Sequence, residues 1–489
     1  MDSLEHRGSD QRQTTSNGEE RVATWQPAED VAATIGHPQK INLQEVKSKP
    51  GNSDIFTILR HSFVGRIYTD HLKQIPLIRN TVIAVWRTLY PLYVRSSIFL
   101  ASQQTRRWRP IVKLQDYVSE SRCPSIKVFD SVRVETPPPT VFPSKDQDCL
   151  HNSRDYYDFP PVYVAQLSSA SVYGGTNLVF FQDLVICHDL YDFDRDYTSE
   201  ELHGRHVIDA KKKRMRLLKI DPAPEKIAEA AAFLDACATN YAHWLTEVLP
   251  RIAAFCSIER YADVAIIVDD GLHYNIIETL SHVVGSGRKI IMLPKGRSID
   301  VASLYVTSVT GYVPFDVRGS VLVDRSHGKF SSFALDLVRK RFHTYMRIPL
   351  APGLPKKIYL RRSSGVRNIA NSEELERFLV LHGFFIIEPE KLTFIQQVDL
   401  FRSVETIIAP TGAALANAIF CRPGTRVAVL MSKHKRMIYR YWLNLLAPKN
   451  IELTYVLGSI RGNGQADIHA DYYVDIKHLT EQIQAWKPQ

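Results

Sequence analysis

The sequence lacks several features that would assign it directly to a class of protein. Its six cysteines form no Cys-x-x-Cys pair, so their spacing supports neither a zinc ribbon nor a disulfide framework. No stretch approaches the roughly 20 uninterrupted apolar residues of a membrane-spanning helix, and the polar start of the chain lacks the apolar core of a secretory signal. No Gly-x-Gly-x-x-Gly follows a predicted strand, which argues against a dinucleotide-dependent dehydrogenase. We therefore expect a cytoplasmic protein with reduced thiols.

Acidic residues are almost missing from residues 55–113, where Asp70 is the one acid beside ten arginines and lysines. The whole chain has 61 basic and 52 acidic residues, so this segment accounts for the net charge of +9. Evenly spaced arginines with Trp86, Tyr90 and Trp108 fit an interfacial helix on an anionic membrane surface, peripheral at the inner membrane. They fit a helical cap on the protein body equally well. Because no nucleic-acid-binding module is recognisable, we expect no nucleic acid partner.

With 45% hydrophobic and 23% charged residues, the chain has the composition of a globular protein. Its polar start predicts a disordered tail. The basic segment follows, then an α/β domain with a β-rich lead-in, a linker with three prolines and a glycine, and a second α/β domain. In both domains strands alternate with helices, the pattern of Rossmann-like folds. These units cover residues 1–54, 55–124, 125–347, 348–356 and 357–489.

The regular elements are predicted most clearly after residue 230. In the first domain we predict strands at 265–268, 289–293 and 303–309, and helices at 241–255 and 274–284. In the second domain we predict strands at 357–360, 384–387, 406–409 and 426–431, and helices at 371–382, 394–403 and 413–420.

The densest cluster of reactive side chains begins the first predicted helix. In Asn240-Tyr-Ala-His-Trp-Leu-Thr-Glu-Val-Leu-Pro-Arg251, His243, Glu247 and Arg251 are spaced i, i+4 and i+8, so they share one helix face. Glu247 could be a general base whose charge and orientation its neighbours fix, and His243 could itself be the base or orient Glu247. An ordinary ion-paired helix face has the same spacing.

Two further clusters follow strands of the second domain. The loop after the first strand carries Arg361, Arg362 and Arg367, and arginines there could bind diphosphate oxygens at the carboxyl end of the sheet. Asn371 after this loop could instead cap the next helix. The turn Thr411-Gly412-Ala413 opens a helix, so its amides could receive a phosphate.

Two acidic pairs could suggest a metal site. Asp192-Phe-Asp-Arg-Asp196 has Asp-x-Asp spacing, but it lies in the β-rich lead-in, where a solvated turn is the simpler interpretation. Asp269 and Asp270 precede Gly271, and a turn explains them equally well. We therefore assign no metal.

In this order, the segments 240–251, 361–372 and 410–417 resemble the motifs of glycosyltransferase family 61, whose members include bacterial capsule and polysaccharide enzymes. The resemblance extends from about residue 162 to the C-terminus. The chain departs from the family pattern at Ser372, where the family usually has Glu, and at Thr411, where it usually has His.

The resemblance implies a GT-B-like architecture, in which two Rossmann-like domains face a cleft. It also implies an inverting transfer of a sugar from a nucleotide donor to a hydroxyl of a saccharide or lipid-linked saccharide, as in bacterial capsular or surface polysaccharide synthesis. Inversion needs a base for the acceptor and stabilisation of the departing diphosphate. The catalytic residues would be Glu247 and His243, and the substrate-binding residues Asn240, Arg251, Arg361, Arg367, Asn371, Thr411, Gly412, Ala413 and Asn417.

No cofactor is expected, because the basic clamp could neutralise the diphosphate without a metal ion. The departures at Ser372 and Thr411 leave one alternative, a catalytically impaired family member that acts as a polysaccharide- or nucleotide-binding scaffold.

Overall fold

A computed structural model describes most of the chain after residue 107 as a mixed α/β structure with two large sheets. The predicted tail and basic segment fall mostly outside the described residues, as do residues 348–352 of the linker. The described residues are 42–46, 108–150, 154–202, 206–217, 221–285, 287–318, 328–342, 353–362, 367–434, 439–461 and 470–486, with single positions at 81, 85 and 96.

The elements are numbered along the chain. The strands are β1 Asn42–Glu45, β2 Arg109–Lys113, β3 Ser125–Phe129, β4 Val132–Thr136, β5 Thr140–Phe142, β6 Asp155–Phe159, β7 Val162–Tyr173, β8 Val179–Phe181, β9 Leu184–Cys187, β10 Asp196–Tyr197, β11 His206–Asp209, β12 Arg214–Leu217, β13 Glu225–Ala232, β14 Ile266–Asp269, β15 Lys289–Leu293, β16 Ser298–Thr307, β17 Gly311–Tyr312, β18 Asp316–Val317, β19 Lys329–Phe330, β20 Lys357–Leu360, β21 Phe385–Ile387, β22 Thr406–Pro410, β23 Arg426–Ser432, β24 Glu452–Ile460 and β25 Tyr472–Tyr473. The α-helices are α1 Leu114–Ser121, α2 Ser199–Leu202, α3 Tyr241–His243, α4 Leu249–Cys256, α5 Tyr274–Val283, α6 Ser332–Arg341, α7 Ser372–Leu381, α8 Phe394–Ser403, α9 Arg440–Leu446 and α10 Ile476–Ala485. A π-helical segment spans Trp244–Val248, and 3₁₀ helices span Ser144–Cys149, Glu259–Tyr261, Pro389–Lys391, Ala413–Phe420 and Ala447–Lys449.

The first sheet contains twelve of these strands, in the order β1-β15-β14-β13-β16-β7-β8-β9-β2-β12-β11, with β3 also paired to β7. The run β15-β14-β13-β16 is parallel, and β16 is antiparallel to β7. All four residues of β14 are buried, as expected for a parallel strand covered on both faces. The parallel strands therefore bring their carboxyl ends to a common edge.

The second sheet has the order β21-β20-β22-β23-β24-β25, and its first five strands are parallel. Numbered along the chain, these five strands lie in the order 2-1-3-4-5, so the winding direction reverses between β20 and β22. The crevice at such a reversal is where open α/β sheets bind ligands. The loops after β20 and β22 carry the second and third motifs.

The two halves of the chain are less separate than the sequence predicts. Strand β5 comes from the predicted first domain, yet it pairs in parallel with β24 of the second sheet. One hydrophobic cluster also includes buried side chains from both halves, among them Phe233, Trp244, Leu415 and Tyr455. The predicted boundary at residues 348–356 therefore does not separate two independent cores.

Two corrections concern the start of the chain. Residues 42–45, predicted to be disordered, form an edge strand that pairs in parallel with Lys289–Met292. Residues 109–113, predicted to belong to a helical segment, form β2 between β9 and β12. Strand pairing there overrides the amphipathic helical pattern, although α1 follows at once. Among the described residues, no helix is both long and apolar enough to span a bilayer.

Asn417 joins the two halves through a buried polar chain. Its Oδ1 accepts a hydrogen bond from the hydroxyl of Tyr241 at 2.6 Å, and its Nδ2 donates to Oε1 of Gln397 at 2.6 Å. Asn417 is fully buried, so neither partner can exchange it for bulk water without local opening. The start of the first motif is thereby tied to the third motif.

We predict that Asn417→Ala lowers the free energy of unfolding by about 2–4 kcal/mol, because two buried polar partners lose their hydrogen bonds at about 1–3 kcal/mol each. Urea denaturation measures this change. Tyr241→Phe should cost less, and the double variant should cost less than the sum of the two single changes, because the residues share one contact. A loss below about 0.5 kcal/mol for Asn417→Ala would contradict this role.

Candidate active site

The first motif lies on a helix that widens in its middle. Residues 241–256 run continuously through α3, the π-helical segment and α4, as predicted. The amide of Leu249 donates to the carbonyl of Trp244, five residues earlier. Pro250 has no amide hydrogen to donate to Thr246, and its ring would crowd that carbonyl in a regular helix, which accounts for the widening.

Residues 310–313 pack against this widened turn and fix Glu247. A Cβ atom at Gly311 would lie only 2.3 Å from the carbonyl oxygen of Thr246, so glycine permits the close approach. The hydroxyl of Thr310 donates to the backbone carbonyl of Glu247 at 3.1 Å. The amide of Val313 donates to Oε2 of the same residue at 3.1 Å. The carboxylate is thus oriented from outside its own helix.

His243 and Glu247 form a close pair. Nδ1 of His243 lies 2.5 Å from Oε1 of Glu247, whose residue is only 7% exposed. Burial lowers the pKa of His243, but the charge of Glu247 and this hydrogen bond raise it more, so the net pKa is above the usual 6.5. The imidazole side chain is 23% exposed, and no described residue bonds its Nε2. His243 therefore presents the accessible end of the pair.

Arg251 does not bind the carboxylate of Glu247, contrary to the predicted arrangement. Its Nε donates to the backbone carbonyl of Glu247 at 3.2 Å, and its Nη2 lies 3.6 Å from the carboxylate of Asp235. Burial lowers the pKa of Arg251, although Asp235 and Glu247 oppose that shift. The widening of the helix directs this side chain toward the first sheet rather than along the predicted face.

Several predicted substrate-binding side chains are engaged within the fold. Asn240 caps the helix, because its Oδ1 accepts from the amide of Ala242. Asn417 is occupied by Tyr241 and Gln397, as described above. Asn371 stands at the start of α7, but its side chain makes no capping hydrogen bond. Its Nδ2 donates to the carbonyl of Val474 and to Glu374, and its Oδ1 accepts from the amide of Val474. Asn371 therefore connects the start of α7 to the segment after β25.

Arg361 is also committed to internal contacts. Its guanidinium donates to both carboxylate oxygens of Glu376 at 2.8 and 2.5 Å, and to Glu388 at 2.6 Å. These carboxylates raise its pKa above the usual value. Arg361 therefore does not fit the predicted diphosphate clamp, because its guanidinium already donates to the carboxylates of Glu376 and Glu388.

The next two arginines differ sharply from Arg361. Arg362 has its pKa lowered to about 10, first by burial and then by the positive charge of Arg367. The pKa of Arg367 is lowered by burial, and its Nε is buried with no hydrogen-bond partner among the described residues. The backbone of Arg367 has φ of 59°, a strained conformation for a residue with a side chain. Two like charges are thus held together in a partly desolvated place.

The third motif lies against this pair. Nη1 of Arg362 would be 2.3 Å from a Cβ atom at Gly412, so glycine permits the guanidinium to approach the turn. The backbone of Gly412 is extended, with φ of −179°, and the 3₁₀ helix Ala413–Phe420 begins directly after it. Thr411 accepts a hydrogen bond from Nε1 of Trp442 at 3.0 Å. Arg362, which is not among the predicted substrate-binding residues, joins the second and third motifs.

The acidic side chains of both pairs are engaged in hydrogen bonds within the fold. Asp192 accepts hydrogen bonds from the amides of Asp194 and Arg195 in a turn, and Asp196 is buried against Arg195 and the Tyr312 hydroxyl. Asp269 is buried and accepts from the amides of Gly175 and Asp235, and burial raises its pKa to about 7. No group of three His, Cys, Asp or Glu in the described ranges could hold a metal ion.

Glu247 and His243 should depend on Gly311. We predict that Gly311→Ala displaces the helix and Glu247, whose Cγ would lie 3.2 Å from the new methyl group. The pKa of His243 should then fall toward or below 6.5, because burial continues to lower it while the carboxylate contact weakens. Titration of the imidazole by NMR measures this change.

Gly271→Ala is the matched control. Its backbone φ is +72°, but an added Cβ meets nothing within 4 Å. It should cost stability through strain alone and leave the titration of His243 unchanged. An unchanged pKa of His243 in Gly311→Ala would contradict the proposed contact.

Comparison with known proteins gives a family match. Residues 241–428 match the sequence model of the family described as Glycosyltransferase 61. This range begins at α3 and ends within β23, so it contains the His243–Glu247 pair, the neighbouring Arg362 and Arg367, and Gly412. No curated protein matches the chain. Through residues 241–428, the chain is therefore similar to the glycosyltransferase 61 family, and the activity that this similarity implies is glycosyl transfer.

Proposed function

We propose that the protein transfers a sugar, with inversion at the anomeric carbon, from a nucleoside-diphosphate donor to a hydroxyl group of a saccharide acceptor. The observation that carries this proposal is the presence of two unlike parts within the matched range. One part is a histidine–carboxylate pair with an accessible nitrogen, and the other is a partly buried pair of arginines against a glycine turn. An inverting transfer needs both a base and a place for the departing diphosphate.

We assign the role of base to His243 and the role of positioning residue to Glu247. Both carboxylate oxygens of Glu247 already accept hydrogen bonds, one from His243 and one from Val313. The carboxylate fixes Nδ1 as the protonated nitrogen, which leaves Nε2 as the acceptor for a substrate proton. The sequence favoured Glu247 as the base and left His243 as an alternative, and the geometry supports the alternative.

We assign the diphosphate to Arg362, Arg367 and the turn at Gly412. The two guanidinium groups concentrate positive charge in a partly desolvated place, and Nε of Arg367 is buried without a hydrogen-bond partner among the described residues. A diphosphate carries the opposite charge and accepts the planar donors of arginine in pairs. Arg361, which the sequence placed in this clamp, has no role in it.

In the proposed reaction, Nε2 of His243 removes the proton of the acceptor hydroxyl. The acceptor oxygen forms a bond to the anomeric carbon while the bond from that carbon to the diphosphate oxygen breaks. The bonding electron pair leaves with the diphosphate, whose charge the two arginines stabilise. Glu247 stabilises the imidazolium that forms.

We also propose that the two halves are Rossmann-like and that transfer needs no divalent metal. The strand order 2-1-3-4-5 of the second sheet and the parallel run in the first sheet support the first point. Arg362 and Arg367 support the second point, because they supply positive charge where the diphosphate would lie. Because the three motifs resemble those of glycosyltransferase family 61, whose members include polysaccharide enzymes, we also propose a role in polysaccharide synthesis.

The alternative is a family member that binds nucleotides or polysaccharides without turnover. It rests on Thr411, where the family pattern has His, and whose hydroxyl is occupied by Trp442. Nucleoside-diphosphate binding with no transfer from any nucleotide sugar would favour this alternative.

We predict that Arg367→Ala weakens nucleoside-diphosphate binding by about 1.5–3 kcal/mol, the range for a hydrogen bond to a charged group. Isothermal titration with UDP, GDP, ADP and CDP measures this change. Arg361→Ala is the matched control, because its guanidinium is held by Glu376 and Glu388. It should lower stability and leave the dissociation constant unchanged. Equal weakening in both variants would refute the assignment.

We predict that kcat/KM rises with pH through the pKa of His243, so its acidic limb lies above pH 6.5. The sign follows because a base must be unprotonated and Glu247 raises this pKa. Glu247→Gln removes the carboxylate charge, so the limb should move to lower pH. His243→Ala should lower the rate roughly 10²–10⁴-fold with donor binding kept. An acidic limb that stays in place in Glu247→Gln would count against the pair.

A further inference from the structure

Residues 367–371, which lead into α7, lie along the short strand β25. The amide of Tyr472 donates to the carbonyl of Asn368 at 3.0 Å, and the amide of Ala370 donates to the carbonyl of Tyr472 at 2.7 Å. Ile369 pairs with Tyr472 in a parallel bridge. Strand β25 also pairs with the end of β24. The loop that carries the second motif is therefore connected to the second sheet through β25.

Asp471, directly before β25, holds the peptide group that follows Arg367. Its Oδ1 accepts a hydrogen bond from the amide of Asn368 at 2.9 Å, while the carbonyl of Asn368 accepts from the amide of Tyr472. The backbone carbonyl of Asp471 accepts from the amide of Arg461, just after β24, at 2.9 Å. Both backbone polar groups of Asn368 are thus bonded to two consecutive residues that are themselves anchored on β24.

This contact lies next to a strained residue. Arg367 has φ of 59°, in the left-handed region that residues with a Cβ atom rarely adopt. Such a conformation persists only where the surrounding contacts determine it. The amide of Asn368 belongs to the peptide group on the C-terminal side of Arg367, so Asp471 restricts the backbone rotation there. In an ordinary backbone conformation, the side chain of Arg367 would point in a different direction.

Tyr472 connects the same segment to the third motif. It is buried, and its hydroxyl donates to the carbonyl of Leu430 at 2.9 Å. That carbonyl also accepts from the amide of Thr411 at 3.0 Å, one residue before Gly412. A Cβ atom at Gly458 would lie 2.5 Å from Cδ2 of Tyr472, so glycine in β24 permits the close approach of β25. The start of β25 therefore contacts residues next to both the arginine and the glycine turn of the proposed site.

We propose that Asp471 is a positioning residue for the proposed diphosphate site, because it holds Arg367 in the conformation that keeps its guanidinium near that of Arg362. The inference rests on the proposed function, since it takes these arginines to bind the diphosphate. Asp471 lies beyond the matched range 241–428, so the family similarity does not assign it. The amide of Asn368 needs an acceptor oxygen at this place, which an asparagine also supplies.

The experiment measures nucleoside-diphosphate binding by isothermal titration on the full chain, with whichever of UDP, GDP, ADP and CDP binds most tightly. Asp471→Ala removes the acceptor, so the dissociation constant should rise about tenfold, toward that of Arg367→Ala. Asp471→Asn removes the charge and keeps Oδ1, so its dissociation constant should change by less than about twofold. Asp471→Glu keeps the charge, moves the acceptor by one methylene group and should weaken binding. It is the second variant if Asp471→Ala does not fold.

Asp475→Ala is the matched control in the same segment. Oδ1 of Asp475 also accepts an amide hydrogen bond at 2.9 Å, from Lys477 at the start of α10. The loss of this bond should lower the melting temperature and leave the dissociation constant unchanged. In the double variant Asp471→Ala and Arg367→Ala, the change at Asp471 should weaken binding less than about twofold further, because it acts through Arg367. Losses that add in full would overturn the positioning role.

Crystal structures of the variants without ligand separate this inference from the proposed function. The φ of Arg367 should become negative in Asp471→Ala and stay positive in Asp471→Asn. A positive φ in Asp471→Ala, or equal weakening of binding in Asp471→Ala and Asp471→Asn, overturns the positioning role. If the unchanged protein binds no nucleoside diphosphate, the proposed function is overturned, even where φ changes as expected.

Discussion

The arrangement of the candidate site depends on a single helix, residues 241–256, most of whose side chains are buried. Pro250 cannot donate a hydrogen bond to Thr246, and the helix responds with a π-helical turn. The widened turn leaves a carbonyl against which Gly311 packs, and it brings the amide of Val313 to Glu247. His243 on the same helix is then held by Glu247. A regular helix would keep the spacing of the side chains but would lose the contact that orients the carboxylate.

The three arginines after β20 illustrate how burial and partners separate side chains of one type. Arg361 is neutralised by Glu376 and Glu388, and it joins β20 to α7 and to the residue after β21. Arg362 and Arg367 are brought close to each other, and burial lowers the pKa of both. The first arrangement stabilises the fold, whereas the second concentrates positive charge in a partly desolvated place beside the Gly412 turn. Gly412 completes the second arrangement because it lets a guanidinium lie against the backbone of the turn.

The periodicity of apolar residues predicts many of the helices and strands. It does not predict which distant strands pair or which charged side chains contact each other. The strands Lys289–Leu293 and Lys357–Leu360 and the helix Phe394–Ser403 have the predicted bounds, because continuous apolar runs and helical spacing are local signals. Strand β5 joining the second sheet is not local, since its partner lies more than 300 residues away. The sequence places Arg361, Arg362 and Arg367 in one loop, but their division into structural and candidate binding residues depends on Glu376 and Glu388. The side chain of Arg251 lies near Asp235 and not at the carboxylate of Glu247. We attribute this to Pro250, which widens the helix, and i, i+4 spacing alone does not predict such a widening.

We propose above all that His243 is the base and that Arg362, Arg367 and the Gly412 turn bind the departing diphosphate. The most direct test is a crystal structure of the protein with the nucleoside diphosphate that binds it most tightly. Our account predicts that the β-phosphate contacts the guanidinium groups of Arg362 and Arg367 at the Gly412 turn, with its terminal oxygen directed toward Nε2 of His243. A diphosphate bound elsewhere, with these two arginines unchanged, would contradict it.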